Sequence, residues 1–425
     1  MKVLLVNPNT YQTPAVIPVG LEYLASALRK AGHHAEMLDL CFVRDPLETI
    51  HQKIATGQIA RNQYDIVGVS IRNVDTVLFQ NNEWFLGKIR DLVVALKQTG
   101  IPVVIGGSGL LAAPDAILDF VKADYAIVGP AEGAIVRLLA DLAAKKASYR
   151  IMDGWSVTFD RNLVHRRGLD FDYAQYIARG GIIGFETQKG CKNACSYCIE
   201  AQTRVIHKNP GAVVEELAHL VQQGYHRFHL ADSEFNQSME HSISFLEALV
   251  SRNLDLEWVL YMTPSPHSEH LFTLLKQSHA TLVTVSACSD AREQARAQYG
   301  YQDLKTIREL CKEHEIKLAV DLLVGLPGEP MESVKKMITF LKEIRPDSVG
   351  VNFYFRLYQN TALVWELLKS AGFTGKLSRP LKEKEDYLMP IFFNQISLAE
   401  LRAILGGDPM FKIEGLQKTV NYERV

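Results

Sequence analysis

Gly190-Cys191-Lys192-Asn193-Ala194-Cys195-Ser196-Tyr197-Cys198 puts three cysteines at spacing C-x3-C-x2-C. The run just before it, Gly181-Ile182-Ile183-Gly184-Phe185-Glu186, reads as a short buried strand. The thiols therefore sit in a loop leaving a strand's carboxyl end, where parallel α/β folds carry their chemistry. The count of three is informative. A [4Fe–4S] cluster takes one thiolate per iron, so three cysteines leave one iron open, whereas a structural zinc site closes with four ligands. His207 is the candidate fourth ligand in the zinc reading, which the single cluster of cysteines disfavours, because four-ligand zinc sites usually show two paired-ligand knuckles.

Downstream, apolar runs of strand length alternate with amphipathic stretches. Strands are predicted near Arg227–Leu230, Glu257–Tyr261, Leu282–Ser286, Lys317–Leu323 and Ser348–Phe353, each followed by a helix. With Ile182–Glu186 they make six strand and helix pairs, hence an open (β/α)6 barrel, smaller than the closed eight-unit form. Polar residues gather at the strand ends: Asp232-Ser233-Glu234, Tyr261 with Pro264 and Pro266, Ser286 with Asp290, Gly325-Leu326-Pro327-Gly328-Glu329, and Arg356 with Tyr358 and Thr361. Each also has a plain structural use: Asp232 as a turn cap, Gly328-Glu329-Pro330 as a helix start, Arg356 as half of a surface ion pair.

Upstream, residues 1–145 alternate in the same way, which predicts a doubly wound, Rossmann-like parallel sheet covered by helices on both faces. Small-residue turns follow its strands at Asn7-Pro8, Ser70-Ile71-Arg72-Asn73, Gly106-Gly107-Ser108-Gly109 and Gly129-Pro130-Ala131-Glu132-Gly133. Ligands bind beyond strand carboxyl ends in such sheets, and glycine lets a bulky group approach the backbone. Between 146 and 177 periodicity fades, and a linker is expected. The barrel is expected over 178–370, and a C-terminal extension over 371–425. That extension carries the charge run Lys382-Glu383-Lys384-Glu385, read as a solvated face, and the apolar run Leu388 to Phe393.

Composition narrows the function classes. The chain has 425 residues, is 47% hydrophobic and 22% charged, and carries a net charge of −2. That is a folded protein of two or three domains without the basic excess of a nucleic-acid binder. No apolar run is long enough to span a bilayer, and the start reads as a strand and turn rather than a signal peptide, so a cytoplasmic location is expected. Of six cysteines, Cys41, Cys288 and Cys311 are scattered, which fits buried thiols in a reducing compartment better than a disulfide framework.

Cys191-x3-Cys195-x-Tyr197-Cys198, with its aromatic residue before the last cysteine, resembles the radical S-adenosylmethionine (SAM) signature. The N-terminal third, through its strand order and the Ser70, Gly106-Gly107 and Gly129 to Gly133 turns, resembles the cobalamin domain of the cobalamin-binding radical SAM family. The resemblance implies a [4Fe–4S] cluster on Cys191, Cys195 and Cys198 whose open iron chelates SAM. It implies Tyr197 near the adenine, Asp232, Ser233 and Glu234 around the SAM amino group, Ser286 at the ribose or carboxylate, and Gly325 and Pro327 at the adenine. Cobalamin contacts would fall at Ser70, Gly106, Gly107, Gly129 and Glu132. The sequence departs from the Asp-x-His pattern of cobalamin mutases, since Asp39 is followed by Leu40 and Cys41. A bound cobalamin is thus expected without a histidine lower ligand; a domain that has lost cobalamin is the alternative.

Three activities are compatible with the resemblance. The leading one is methylation of an unactivated carbon of a small organic substrate, by a 5′-deoxyadenosyl radical and methylcobalamin. Radical rearrangement or cyclisation without methyl transfer is the second, and a non-catalytic cobalamin or iron–sulfur sensor the third. Tyr261, Arg356 and Tyr358 are expected to face the substrate, where aromatic rings and an arginine sandwich a planar group or pair with a carboxylate. An electron donor such as flavodoxin or ferredoxin is the expected protein partner, with no nucleic acid and no membrane.

Overall fold

Val3 to Val6 are all buried, as expected of a strand flanked on both sides and covered on both faces. The computed structural model describes residues 1–369, 375–382 and 385–416, and the chain divides into two units, Met1–Thr76 with Glu83–Ile183, and Val77–Asn82 with Gly184–Val425.

In the first unit β1 (Lys2–Asn7), α1 (Val19–Lys30), β2 (His34–Asp39), α2 (Pro46–Ala55), β3 (Ile66–Ser70), α3 (Leu86–Lys97), β4 (Val103–Gly106), α4 (Pro114–Val121), β5 (Tyr125–Val128), α5 (Glu132–Ala143) and β6 (Ile151–Asp153) alternate along the chain, and α6 (Tyr173–Ile177) follows. The strands lie parallel in the order β2-β1-β3-β4-β5-β6. The winding reverses between β1 and β3, and that switch opens a crevice beyond Asn7 and Ser70. The stretch expected as a linker folds with this unit. β6 extends the sheet by pairing with β5, and the fully buried Arg167 donates to Glu22 of α1 at 3.1 Å. Tyr173 donates to the same carboxylate at 2.5 Å and Gly168 N at 3.1 Å. A buried ion pair keeps its place only when its spare lone pairs are satisfied in this way.

In the second unit β7 (Ile183–Phe185) leads to a two-stranded antiparallel ribbon, β8 (Gln188–Lys189) with β9 (Ile206–His207). Then come α7 (Pro210–Gln222), β10 (Arg227–Leu230), α8 (Met239–Arg252), β11 (Glu257–Met262), α9 (Glu269–Gln277), β12 (Ala280–Cys288), α10 (Ala291–Arg296), α11 (Tyr301–Glu313), β13 (Lys317–Leu323), α12 (Met331–Ile344) and β14 (Ser348–Asn352). The remaining elements are β15 (Phe355–Arg356), α13 (Ala362–Lys369), β16 (Lys376–Leu377), β17 (Phe392–Asn394), α14 (Leu398–Leu405) and β18 (Phe411–Ile413). The main sheet runs β7-β10-β11-β12-β13-β14-β18. Chain order is kept from strand to strand, as in a partial barrel, and a seventh strand comes from the expected extension, β18 lying parallel to β14. β17, which takes in the end of the apolar run Leu388 to Phe393, pairs antiparallel with β15 and β16. The charge run at 382–385 lies partly outside the described residues.

Alternation along the barrel strands sorts the core from the lumen. Phe228, Leu230, Trp258, Leu260, Val283, Val285, Val320 and Leu322 are buried, and Trp258 meets Phe185, Phe235 and Phe245 at ring centroid distances of 5.9, 5.9 and 6.1 Å. Each such pair contributes about 0.5–1.5 kcal/mol beyond its buried area. The alternate residues His229, Tyr261, Ser286, Asp321 and Asn352 are only half-buried, so one polar side chain from each of β10 to β14 lines the opposite face.

Candidate cluster and cofactor site

The cysteine loop hangs from the β8–β9 ribbon, which fixes both of its ends. Within it, Cys191 N donates to Thr203 Oγ1 at 2.9 Å, Lys192 N to Gln237 Oε1 at 2.9 Å, and Gln202 N to Asn193 O at 2.8 Å. Glu200 N points at Cys198 Sγ, 3.4 Å away. All three cysteines are free thiols. Burial, with smaller contributions from neighbouring acidic groups, pushes Cys191 and Cys195 up to about 12 and Cys198 up to about 11. The thiolate is the ligating form, so a bound cation such as iron would have to offset this cost of ionisation. Among the described residues no three His, Cys, Asp or Glu side chains converge tightly enough to hold a single metal ion. His207, the ligand considered for zinc, instead stacks on His241 with ring centroids 4.3 Å apart. Tyr197 packs against the cluster of Cys288, Leu326, Phe355 and Leu363, its ring centroid 6.0 Å from that of Phe355.

The three candidates after β10 have different partners. Asp232 accepts from Thr187 N at 2.8 Å, Gln188 N at 3.2 Å and the Thr187 hydroxyl, so its carboxylate ties down the turn that leads into the cysteine loop. Burial pushes its carboxyl up to about 7. The Ser233 hydroxyl donates to Glu200. Both were expected around an ammonium, and both are instead spent on the protein. Glu234 is different: it is 8% exposed, Oε2 has no hydrogen-bond partner, and Ser286 bonds to the side chain. Burial pushes it up to about 8, and its charge is felt at all three thiols.

The loop after β13 is held by another buried carboxylate. Glu329 accepts from Gly325 N at 2.6 Å, Leu326 N at 3.0 Å, Ser333 Oγ at 2.9 Å and the Ser289 hydroxyl. Pro327 O accepts from Arg292 at 2.8 Å. Arg356, expected to face substrate, is 4% exposed. Its guanidinium donates to Leu357 O, to Tyr387 O at 2.8 Å and to Leu388 O at 3.3 Å, and lies 4.6 Å from the centre of the Tyr358 ring. It braces the loops around it rather than reaching outward, because both terminal nitrogens are committed to main-chain carbonyls. Tyr261 and Tyr358 remain half-buried. The lumen residues His229, Asp321 and Asn352 and the loop anchors Thr187, Gln188 and Glu293 were not among the expected site residues. Strict alternation on β10, β13 and β14 was the signal available for the first three; the anchors lie in irregular segments or a short helix and gave none.

In the first unit, Ser70 and Gly106 sit paired at the ends of β3 and β4, both half-buried. Gly107 has φ +107°, and a Cβ there would meet Ile71 O at 2.6 Å; Gly129 has φ +88°, and a Cβ would meet the Trp155 indole at 2.4 Å. These glycines admit the protein's own chain. Glu132 is buried in the first turn of α5. Where a histidine ligand would stand, Cys41 is 1% exposed with its thiol pushed up to about 11 by burial. Asp39 accepts from Cys41 N at 3.0 Å, Asn7 at 2.8 Å and the Tyr176 hydroxyl at 2.8 Å. That corner is closed by hydrogen bonds and offers no imidazole.

A doubly wound sheet with its switch point at Asn7 and Ser70, followed by a partial barrel that opens with a three-cysteine loop, defines a two-cofactor class of α/β protein. Residues 13–139 match the B12 binding domain and residues 185–341 the radical SAM superfamily. The chain belongs to the cobalamin-binding radical SAM enzymes. A tryptophan 2-C-methyltransferase of Streptomyces laurentii is 25% identical over 439 residues, covering 84% of this chain and 72% of that protein. The radical SAM methyltransferase TsrM of Kitasatospora setae, solved with cobalamin and a [4Fe–4S] cluster, superposes with a TM-score of 0.82 at 24% identity over 96% of this chain and 92% of that one. Its structure with tryptophan and the SAM analogue aza-SAM gives 0.83 at 24% identity, over 99% and 93%. At that identity the likeness establishes the shared fold. Among the described residues, no helix is long and apolar enough to cross a membrane.

Proposed function

We propose that this chain is a cobalamin-dependent radical SAM C-methyltransferase acting on a small, planar organic substrate. The observation that carries the reading is the unpartnered oxygen of buried Glu234 beside three free thiols, in a chain that also holds a B12 domain. Similarity to a tryptophan 2-C-methyltransferase along most of the chain supports an indole-like or other aromatic amine as substrate class.

Cys191, Cys195 and Cys198 would hold the cluster with one iron left open. A buried acceptor without a donor calls for a cation from whatever binds there, and the ammonium of SAM is the group we assign to Glu234, with Ser286 beside it. Ser70 and Gly106 would floor the corrin, with Gly107, Gly129 and Glu132 shaping the loops around it. Cys41 in its closed corner would leave cobalt without a histidine below. Tyr197 would pack the adenine side with Gly325 and Pro327. Tyr261 and Tyr358 would present ring faces to the substrate, while His229, Asp321 and Asn352 supply polar contacts in the lumen. When bound, cobalamin supplies a transferable methyl group and the cluster an electron. A cytoplasmic location and a flavodoxin- or ferredoxin-type donor fit such chemistry.

The test is incubation with SAM labelled in its methyl group, cobalamin, reductant and indole-type candidates, read by mass spectrometry. A labelled methyl group on a small-molecule carbon is expected. Deoxyadenosine with an unlabelled, rearranged product would move the assignment to rearrangement, and label confined to RNA or protein would overturn the substrate class. Anaerobic protein should carry about four irons per chain, and Cys191→Ala, Cys195→Ala or Cys198→Ala should lose the cluster and the activity together.

A further inference from the structure

Ser196 stands between two of the cluster cysteines, and both ends of its environment are fixed by residues far along the chain. Its amide donates to Glu293 Oε2 at 2.9 Å, and its carbonyl accepts from Leu363 N, at the start of α13, at 2.8 Å. Glu293 lies on α10 and is 4% exposed. Its other oxygen, Oε1, takes Arg296 Nη1 at 2.6 Å, and Arg296 Nη2 reaches Glu366 of α13 at 2.5 Å. The result is a buried, ion-paired carboxylate directly behind the loop, hydrogen-bonded to the amide of the residue that follows Cys195.

Amides in cysteine loops commonly donate to cluster sulfur, and each such hydrogen bond stabilises the reduced, more negative cluster. In this loop the amides of Asn193, Glu200 and Ala201 are aimed at ligand sulfurs, the first at Cys191 and the other two at Cys198, while the Ser196 amide is turned away and held by a carboxylate. Both the missing donor and the added negative charge disfavour reduction.

We propose that Glu293 is a positioning residue that keeps the reduction potential of the cluster low, by taking the Ser196 amide for itself and placing negative charge behind Cys195. Arg296 limits this effect by pairing with the same carboxylate, and Glu366 orients Arg296. A low potential favours one-electron transfer from the cluster to a bound sulfonium. The inference rests on the cluster assignment above.

Reconstituted wild-type protein, Glu293→Gln and Arg296→Gln are compared by iron and sulfide content and then by a potentiometric titration followed by electron paramagnetic resonance. Glu293→Gln keeps a carbonyl acceptor for Ser196 N without the charge, so the midpoint should move to a more positive potential. Arg296→Gln leaves the carboxylate uncompensated, and the midpoint should move to a more negative potential. Arg296 is partly exposed, so its variant also serves if Glu293→Gln fails to hold a cluster. Equal midpoints in the cluster-bearing variants and wild type, or shifts of the opposite sign, would overturn the role of Glu293. A wild-type protein without iron would instead overturn the cluster assignment itself.

Discussion

In the first unit the ends of β4 and β5 are shaped by glycines against which the protein's own atoms pack, Gly107 on Ile71 and Gly129 on Trp155. In the second unit the segments after β10, β12 and β13 carry buried carboxylates, and Asp232, Glu293 and Glu329 each clamp main-chain amides. At these strand ends the first unit fixes its loops by steric fit and the second by charge-assisted hydrogen bonds. The distinction predicts how each is damaged. A loop set by fit fails when an atom is added, and a loop set by a carboxylate fails when an acceptor is removed. Glu234 breaks the pattern in its own unit, because one of its oxygens clamps nothing.

That exception gives the largest expected effect. Glu234→Gln should weaken SAM binding by at least about 30-fold, the ~2 kcal/mol or more lost when a buried ion pair loses one charge. The melting temperature of the SAM-free protein should stay the same or rise, since a poorly solvated carboxyl is removed. Calorimetric titration with SAM and a thermal scan read the two quantities. An altered cluster spectrum before SAM is added would place the carboxylate on iron instead and defeat the ammonium assignment. Asp232→Ala should behave in the opposite sense, destabilising the fold by about 2–4 kcal/mol because two buried amides, Thr187 N and Gln188 N, lose their acceptor. Asp232→Asn, which retains one oxygen, should cost less. Equal stability of all three proteins in urea would show that the clamp is dispensable.

The fold was readable because both sheets write a regular alternation into the chain, and the cysteine spacing was readable because ligand count is a local property. The partition among Asp232, Ser233 and Glu234 was not. Three adjacent polar residues look alike in sequence, and only the approach of Thr187 and Glu200 decides which one keeps a free oxygen. Arg356 misled for a related reason: an arginine after a strand reads as outward-facing, yet the carbonyls of Tyr387 and Leu388, about 30 residues on, capture it. Glu293 escaped because α10 is a single short helix with no usable period. The 146–177 stretch lost its periodicity yet still supplies β6, whose three residues are too few to show alternation.

Steric fit in the first unit is tested by comparing two glycines. Gly129→Ala places a Cβ 2.4 Å from the Trp155 indole at φ +88°, whereas at Gly328, φ +72°, nothing lies within 4 Å. Backbone strain is common to both, so Gly129→Ala should cost about 1–3 kcal/mol more, from the overpacked contact. Pairing it with Trp155→Ala should recover most of the difference in a double-mutant cycle. Additive costs in that cycle would mean that the indole moves aside freely and that the fit is not what shapes the loop.

The smallest effect comes from a carboxylate at the surface of the first unit. Glu36 on β2 accepts from Lys2 Nζ at 2.8 Å, His34 Nε2 at 3.0 Å and the Tyr64 hydroxyl, and these bonds, Lys2 first, hold its carboxyl down to about 2 from an ordinary 4.5. A depressed carboxylate stabilises the folded state above its unfolded pKa, and that stabilisation disappears as pH falls from about 4.5 through about 2. The side chain is 38% exposed, so solvent screening discounts the gain to roughly 1 kcal/mol or less. Glu36→Gln should therefore unfold at slightly lower urea than wild type at pH 7, and the gap should narrow with added salt and close near pH 2. A gap that persists unchanged at pH 2 would mean that Glu36 contributes by packing rather than by charge.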